Sequence, residues 1–99
     1  MKNWKMRFTL EVSRHFSKIH PEIKKQFKQA LSELRQNPYT GKDLQEELFG
    51  FKSLRLKKYR VIYTIREEKN YIEVYYIGRR SDVYEQFRRL LTELQKSGD

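Results

Sequence analysis

The sequence predicts an α/β fold in the order β-α-α-β-β-β-α, with a twisted, mainly antiparallel sheet whose helices pack on one face. Two observations lead to this class. Apolar and polar residues alternate near the N-terminus and again between about 51 and 78, whereas the segments between and after them carry apolar residues at helical spacing. A length of 99 residues suits one domain spanning residues 1–99 with a single modest core.

The first element is predicted to be a half-buried strand. Its apolar residues alternate with polar ones in the order Trp4, Met6, Phe8, Leu10 and Val12. Ser13 can then cap a short helical turn that presents Phe16 and Ile19. His15 and His20 fall near this turn. We expect both to be surface residues, away from the arginine-rich strands, since two histidines do not make a metal site.

A longer helix is predicted to begin at Pro21 and to end at Asn37-Pro38, because proline suits a first helical turn and disfavours helix in the residue before it. One apolar stripe runs along this helix: Ile23, Phe27, Ala30, Leu31 and Leu34. Residues 39–50 are interpreted as a connection with one short turn around Gln45 to Leu48.

Three strands are predicted next, at about 51–57, 58–66 and 71–78. A two-residue turn joins the first two and sets their register, so that Leu56 faces Tyr59 and Arg55 faces Arg60. In the same register, Ile77 of the third strand lies opposite Arg60. One face then forms the core: Leu54, Leu56, Tyr59, Val61, Tyr63, Ile65, Ile72, Val74 and Tyr76. The other face carries Ser53, Arg55, Arg60, Ile62 and Thr64.

A final helix is predicted from about Asp82, which has Glu85 at the spacing of a capping box. Its apolar stripe is Val83, Phe87, Leu90, Leu91 and Leu94. Tyr84 lies in the first turn at the edge of this stripe, so it can face back across the turn before the helix. We expect the tail from Lys96 to Asp99 to be frayed. The predicted core of the whole domain includes Phe8, Leu10, Phe27, Leu31, Leu54, Leu56, Val61, Tyr63, Val74 and Phe87.

The overall charge narrows the class of partner. The net charge is +9 and the isoelectric point about 9.9, which favours nucleic acid, an acidic protein or anionic lipid as the target. The absence of cysteine excludes disulfides and thiolate metal sites, and fits a reducing cytoplasm. No continuous apolar stretch indicates a signal peptide or a membrane span, so we expect a cytoplasmic protein.

Basic residues concentrate on the first two strands of the meander. Six of them, and no acidic residue, fall between Phe51 and Arg66: Lys52, Arg55, Lys57, Lys58, Arg60 and Arg66. Cations directly opposite each other destabilise a sheet, so Arg55 and Arg60 call for an anion, and a guanidinium suits phosphate. The alternative is that these arginines extend into water or stack on nearby tyrosines.

The chain resembles the RelE/ParE superfamily of type II toxin–antitoxin toxins over almost its whole length. The resemblance rests on the order of elements and on three segments: Phe51 to Arg55, the strand text Tyr59-Arg60-Val61-Ile62-Tyr63, and the exit Gly78-Arg79-Arg80-Ser81-Asp82-Val83-Tyr84. Membership of the RelE branch implies a ribosome-dependent endoribonuclease. Such an enzyme cuts mRNA in the ribosomal A site by attack of a ribose 2′-hydroxyl on the adjacent phosphate, without metal or cofactor.

The resemblance also implies roles for individual residues. Arg60, Arg80 and Tyr84 match the catalytic positions, and the expected RNA-binding residues are Arg55, Lys52, Lys57, Lys58 and Arg79. The implied partners are the ribosome, its mRNA and an acidic or amphipathic antitoxin that wraps the toxin. Two positions depart from the pattern: Arg79 replaces a histidine found in many relatives, and Ser53 replaces a lysine found in some. There are two alternatives. One is a ParE-like inhibitor of DNA gyrase, and the other is a member of the fold that binds RNA or antitoxin without cutting.

Overall fold

The structure, a computed structural model, describes residues 3–97 and confirms the α/β class. Within those residues the helices and strands are β1 (Lys5–Phe8), α1 (Leu10–Ser17), α2 (Pro21–Gln36), β2 (Lys42–Asp43), β3 (Lys52–Leu56), β4 (Tyr59–Arg66), β5 (Tyr71–Arg79) and α3 (Val83–Ser97). The strands form one sheet in the order β1-β5-β4-β3-β2. All neighbouring pairs are antiparallel except β1 with β5, which is parallel.

Apolar side chains cover both faces of the sheet. The face predicted to be the core packs against α1 and α2 through Val12, Phe27, Leu31, Leu34, Val61, Tyr63, Ile72 and Val74. Ile77, which was predicted to lie opposite Arg60, also belongs to this core. On the other face, Val83 and Phe87 of α3 bury Ile62 completely, together with Leu44 and Leu48. The expectation that the helices share one face therefore holds for α1 and α2, whereas α3 lies on the opposite side.

The N-terminal strand is shorter than predicted. Thr9 ends it and caps α1, because its hydroxyl accepts a hydrogen bond from the Val12 amide at 3.3 Å. Ser13 is thus inside the helix and is not its cap. Helical geometry turns Leu10 outward, where it is 65% exposed, and Phe8 is 45% exposed. The prediction that these two residues belong to the core was therefore wrong. The alternation of apolar and polar residues continues into α1, in which Val12 is the buried residue.

The meander has the predicted register between β3 and β4 but not between β4 and β5. Leu56 pairs with Tyr59, and Arg55 with Arg60. A bulge between Ile62 and Tyr63 shifts the second pairing by one residue. Gly78, and not Ile77, therefore lies opposite Arg60. The same shift moves Tyr76 out of the predicted core face to the side covered by α3.

The remaining boundaries follow the sequence signals. His20 caps α2 through Nδ1, which accepts from the Glu22 amide at 3.2 Å, and Asn37 ends the helix. The predicted short turn in the connection is Glu46–Leu48, within one residue of its predicted start. The connection also contains a helical turn at Pro38–Thr40 and the strand β2, neither of which was predicted. Lys96 and Ser97 belong to α3 and not to a frayed tail, while Gly98 and Asp99 lie outside the described residues. No helix in residues 3–97 is long and apolar enough to cross a membrane.

Tyr63 ties the connection after α2 to the sheet. Its side chain is fully buried, its hydroxyl donates to the Pro38 carbonyl at 2.7 Å and it accepts from the Gly41 amide at 3.0 Å. Burial raises the pKa of this phenol to about 12. A side chain at position 41 would collide with the Tyr63 ring, which is why glycine is needed there. The connection can therefore pass close over the sheet and place β2 beside β3.

Candidate active site

The hairpin of β3 and β4 sets the first part of the site. Lys57 occupies its turn with φ +51°, a left-handed conformation that an L-residue adopts at a cost of roughly 1 kcal/mol. The tight turn holds Arg55 directly opposite Arg60. Arg55 is exposed and Arg60 is half-buried. Two arginines thus lie directly opposite each other on neighbouring strands, without a carboxylate between them in the register.

Ser53 is the point at which the candidate residues meet. Its hydroxyl accepts a hydrogen bond from Arg60 Nη1 at 3.0 Å and another from the Tyr84 hydroxyl at 3.2 Å. The guanidinium carbon of Arg60 lies 5.8 Å from the centre of the Tyr84 ring, within the range of a cation–π contact. Ser53 itself is 2% exposed. A buried hydroxyl therefore holds a guanidinium and a phenol side by side.

Tyr84 reaches this position because of how α3 packs. Val83 and Phe87 are fully buried against the sheet and fix the rotation of the helix. Tyr84 follows Val83 by one residue, about 100° around the helix, which directs it toward β3. An ion pair between Arg88 and Glu47, 2.5 Å from Nε to Oε1, also ties α3 to the short turn before β3. Packing of one helix thereby brings residues 53 and 84 into contact.

The exit from β5 brings a second group of cations to the same end of the sheet. The Arg80 amide donates to the Lys58 carbonyl at 2.6 Å, which joins the exit turn to the hairpin turn. The depression between the two turns, about 380 Å³, is lined by Lys57, Lys58, Arg79, Arg80 and Ser81. Among the contacts of the described residues, Arg80 is connected to the hairpin through its backbone, and Arg79 pairs with Tyr59 in the register.

Lys52 differs from the other predicted RNA-binding residues. It is half-buried and forms an ion pair with Asp43 of β2, 2.5 Å from Nζ to Oδ1. Part of its charge is thus already compensated within the fold. Arg55, Lys57, Lys58, Arg79 and Arg80 are all exposed at the turn end of the sheet. Five of these six cations therefore lie exposed at one end of the sheet, whereas Lys52 lies beside a carboxylate.

The chemical groups present suit an anionic ligand. Residues 3–97 contain no cluster of three or more His, Cys, Asp or Glu side chains that could hold a metal ion. The Arg60 guanidinium carries five N–H donors, of which the described contact to Ser53 engages one nitrogen. The other N–H groups of Arg60 can donate hydrogen bonds to phosphate oxygens. The arrangement can bind a phosphodiester and stabilise additional negative charge on it.

Two features of the site were not predicted from the sequence. Ser53 was regarded as a departure from the family pattern, although its place on the face of Arg55 and Arg60 was a signal that it could contact them. His15 and His20 were expected away from the arginines, yet both line a cleft together with Arg79. That proximity depends on how α1 crosses the end of β5, for which the sequence gives no local signal.

Comparison with known proteins identifies the family. A model of the ParE toxin of the type II toxin–antitoxin system parDE matches residues 4–84. This chain belongs to the ParE toxin family. Comparison with curated proteins gave no significant match. The chain is thus a type II toxin of the RelE/ParE superfamily.

Solved structures agree with this assignment. The toxin is 30% identical to a chain of the RelBE2 toxin–antitoxin complex from Mycobacterium tuberculosis, with a TM-score of 0.73 over 79% of this chain and 99% of that one. The isolated E. coli RelE toxin is 21% identical, with a TM-score of 0.68 over 89% and 98% of the two chains. A YoeB/ParE toxin from Agrobacterium tumefaciens is 16% identical, with a TM-score of 0.67 over 76% and 96%. The last two likenesses concern the fold.

Proposed function

We propose that this toxin is a ribosome-dependent endoribonuclease that cleaves mRNA in the ribosomal A site. The observation that carries the proposal is the contact of Arg60 and Tyr84 through Ser53, beside a surface of exposed cations. A toxin that acted only by binding a protein would not need a guanidinium and a phenol held together against a buried hydroxyl. RNA supplies the phosphate that the arginines would bind and the 2′-hydroxyl that would react.

The proposed reaction is an internal transesterification. The 2′-oxygen attacks the adjacent phosphorus and loses its proton, the bond from phosphorus to the 5′-oxygen breaks, and that oxygen takes up a proton. The products are a 2′,3′-cyclic phosphate and a 5′-hydroxyl. Arg60 and Arg80 would bind the non-bridging oxygens and stabilise the charge that builds up on them.

Tyr84 would position the nucleophile. Its hydroxyl donates to Ser53, so its lone pairs can accept the hydrogen bond of the 2′-hydroxyl. Neither arginine can act as a base, because guanidinium stays protonated in proteins. A site with so few acid–base groups depends on accurate placement of the RNA, which a ribosome would supply. We therefore expect little cleavage of the same RNA when it is free in solution.

The test is a translation reaction in which the 5′ ends of the mRNA are mapped. The wild-type toxin should produce new ends inside ribosome-bound codons. Arg60→Ala and Arg80→Ala should each lower the single-turnover rate by roughly 30- to 1000-fold, since a charge-assisted contact in the transition state is worth about 2–4 kcal/mol. Arg66→Ala is the matched control, because Arg66 is on the same strand as Arg60 but pairs with Glu73 at the far end. Full activity of Arg80→Ala or of Arg60→Ala would remove that residue from the site.

The family match favours one second candidate, a ParE-like inhibitor of DNA gyrase. The two candidates give different products in the same cells or extracts. Gyrase-dependent breaks in DNA, with intact mRNA, would establish the second candidate and contradict the first. Under either candidate we propose a cognate antitoxin as partner. Structural neighbours solved as toxin–antitoxin complexes support it, as does the exposed cationic surface.

A further inference from the structure

A second cleft lies beside the exit turn, and its lining includes none of the three residues Ser53, Arg60 and Tyr84. It measures about 490 Å³, within the range of ordinary small-ligand sites. Its walls come from α1 and the link to α2, the start of β4, the end of β5 and the beginning of α3. Val83, in the first turn of α3, is fully buried. Tyr84 extends from the first turn of α3 toward Ser53, whereas Asp82 and Gln86 line the cleft. The proposed reaction does not use this cleft.

The walls of the cleft combine aromatic rings with cations. The His15 and Tyr76 rings lie face toward face, with planes inclined by 30° and centres 6.5 Å apart. His15 is exposed, so one face of its ring can accept another planar group. Lys18 and Arg79 supply the positive charge of the lining. Aromatic stacking with nearby cations is how proteins bind unpaired nucleotides.

Arg79 connects the cleft to the proposed site of cleavage. It lines both the cleft and the depression that contains Lys57, Lys58 and Arg80. A polyanion bound along the depression would therefore reach the cleft without leaving positively charged surface. Asp82 is an acidic residue of the cleft lining. The pKa of the Tyr76 phenol is raised mainly by burial, and the nearby carboxylate of Glu11 raises it further. The carboxylates disfavour phosphate on that side but can accept hydrogen bonds from the amino group of a base.

We propose that this cleft is a nucleotide subsite, which binds the nucleotide next to the scissile one in a single-stranded RNA. Its base stacks on His15 and extends the His15–Tyr76 pair. Its phosphate lies between Lys18 and Arg79. This inference rests on the proposed function for the identity of the RNA, but the cleft makes its own contribution to RNA affinity.

The test measures binding separately from cleavage. A short single-stranded oligoribonucleotide with 2′-O-methyl groups cannot undergo 2′-hydroxyl attack, so its affinity for the whole toxin can be measured by fluorescence anisotropy over a series of salt concentrations. Lys18→Ala and Arg14→Ala each remove one exposed positive charge from the same region, but only Lys18 lines the cleft. Lys18→Ala should reduce the salt dependence by about one phosphate contact, a change in slope of roughly 0.7, whereas Arg14→Ala should leave it unchanged.

The aromatic contact has its own pair of variants. His15→Ala should weaken binding about five- to a hundredfold, the effect expected for loss of one stacked base. His15→Phe keeps a flat ring and should restore most of the affinity. Thermal melting of each variant checks that it is folded. Equal salt slopes for Lys18→Ala and Arg14→Ala, or unchanged affinity of His15→Ala, would overturn the subsite.

The outcomes separate this inference from the proposed function. Arg60→Ala should still bind the methylated RNA through the cleft, and Lys18→Ala should still weaken that variant further. If the cleft variants behave as expected while ribosome-bound mRNA stays intact, the subsite stands and the cleavage proposal fails. If mRNA is cut but the cleft variants bind RNA as the wild type does, the subsite is wrong. Binding of an acidic peptide in the cleft, with no response to RNA, would also overturn it.

Discussion

At the scale of single residues, Ser53 changes how the site is understood. In the sequence, Ser53 is a departure from the family pattern, because some relatives have a lysine at this position. In the structure, the short hydroxyl lets Arg60 and Tyr84 approach each other over a buried partner. A lysine would place a third cation there. Ser53 therefore orders the two groups that we propose to act on the RNA, although it does not itself touch the substrate in this proposal.

Removal of one hydroxyl at a time tests this arrangement. Tyr84→Phe should lower the rate of mRNA cleavage by more than the error of measurement but by less than Arg80→Ala, because it removes the acceptor for the 2′-hydroxyl while keeping the ring. Ser53→Ala should lower the rate as well, and the effect of Tyr84→Phe should be smaller in the Ser53→Ala background, because the two changes break the same hydrogen bond. Single-turnover rates on ribosome-bound mRNA measure both effects. Strictly additive losses would show that the two hydroxyls act independently.

At the scale of elements, Gly78 allows the end of β5 to lie close to α3. A β-carbon on Gly78 would lie 2.9 Å from Cε2 of Tyr76 and 3.1 Å from Cγ2 of Val83. Both neighbours belong to the packing that orients α3. Gly78 thus permits β5 and α3 to meet closely opposite Arg60, and the position of Tyr84 depends on that contact.

We expect Gly78→Ala to lower both stability and activity. Relief of the overlap requires the Tyr76 ring or the first turn of α3 to move, which costs about 1–3 kcal/mol in a well-packed region. Gly50→Ala is the matched control. It also strains the chain, because Gly50 has φ +97°, but a β-carbon there has no neighbour within 4 Å. Chemical denaturation and cleavage rates should show both variants destabilised and only Gly78→Ala impaired in cleavage by the folded protein. Normal cleavage by Gly78→Ala would separate Tyr84 from this contact.

The C-terminal part of α3 is less firmly packed than its beginning. Val83 and Phe87 are fully buried, Leu90 and Leu91 are partly buried, and Leu94 is 53% exposed. An antitoxin segment that is acidic and amphipathic could cover the cationic surface and bury these leucines at the same time. In a complex with the cognate antitoxin we expect hydrogen exchange to slow in the hairpin turn or to change in α3. A complex in which both elements exchange as in the free toxin would contradict occlusion of the site.

At the scale of the whole molecule, stability should depend on pH through Tyr63. Its pKa in the folded protein, about 12, lies above the ordinary value of 10, so its stabilising contribution is complete below pH 10 and is lost as the pH rises through about 12. Tyr63→Phe should lower the free energy of unfolding by about 1–3 kcal/mol at neutral pH, since the Gly41 amide and Pro38 carbonyl lose their partner.

Urea denaturation at a series of alkaline pH values measures this contribution. The difference between wild type and Tyr63→Phe should shrink between pH 10 and 12. Tyr71→Phe removes a hydroxyl from the start of β5 and serves as the comparison for general effects of base. A difference between wild type and Tyr63→Phe that stayed constant over this range would mean that the buried phenol does not control alkaline stability.

The parts of the fold that depend on local patterns could be predicted, and those that depend on packing could not. Alternation and a two-residue turn were sufficient to pair Arg55 with Arg60. The bulge beside Tyr63 adds one residue to the pairing of β4 with β5 and leaves no sign in the sequence composition. The predicted position of Tyr76 was therefore wrong. Thr9 caps a helix whose first apolar residues alternate with polar ones, as the residues of a strand do. The contact between Ser53 and Tyr84 joins elements that only the packing of α3 brings together.

The parallel pairing of β1 with β5 bears on when this toxin can become harmful during its own synthesis. The residues of β5 that pair with β1 lie sixty-six residues further along the chain, so β1 has no place in the sheet until β5 has been made. Pairing over such a separation delays folding. The site needs the hairpin and also the first turn of α3, which follows β5. A nascent chain thus lacks the proposed arrangement until the beginning of α3 has been made, so an antitoxin that bound the growing chain would meet the toxin before its site is complete.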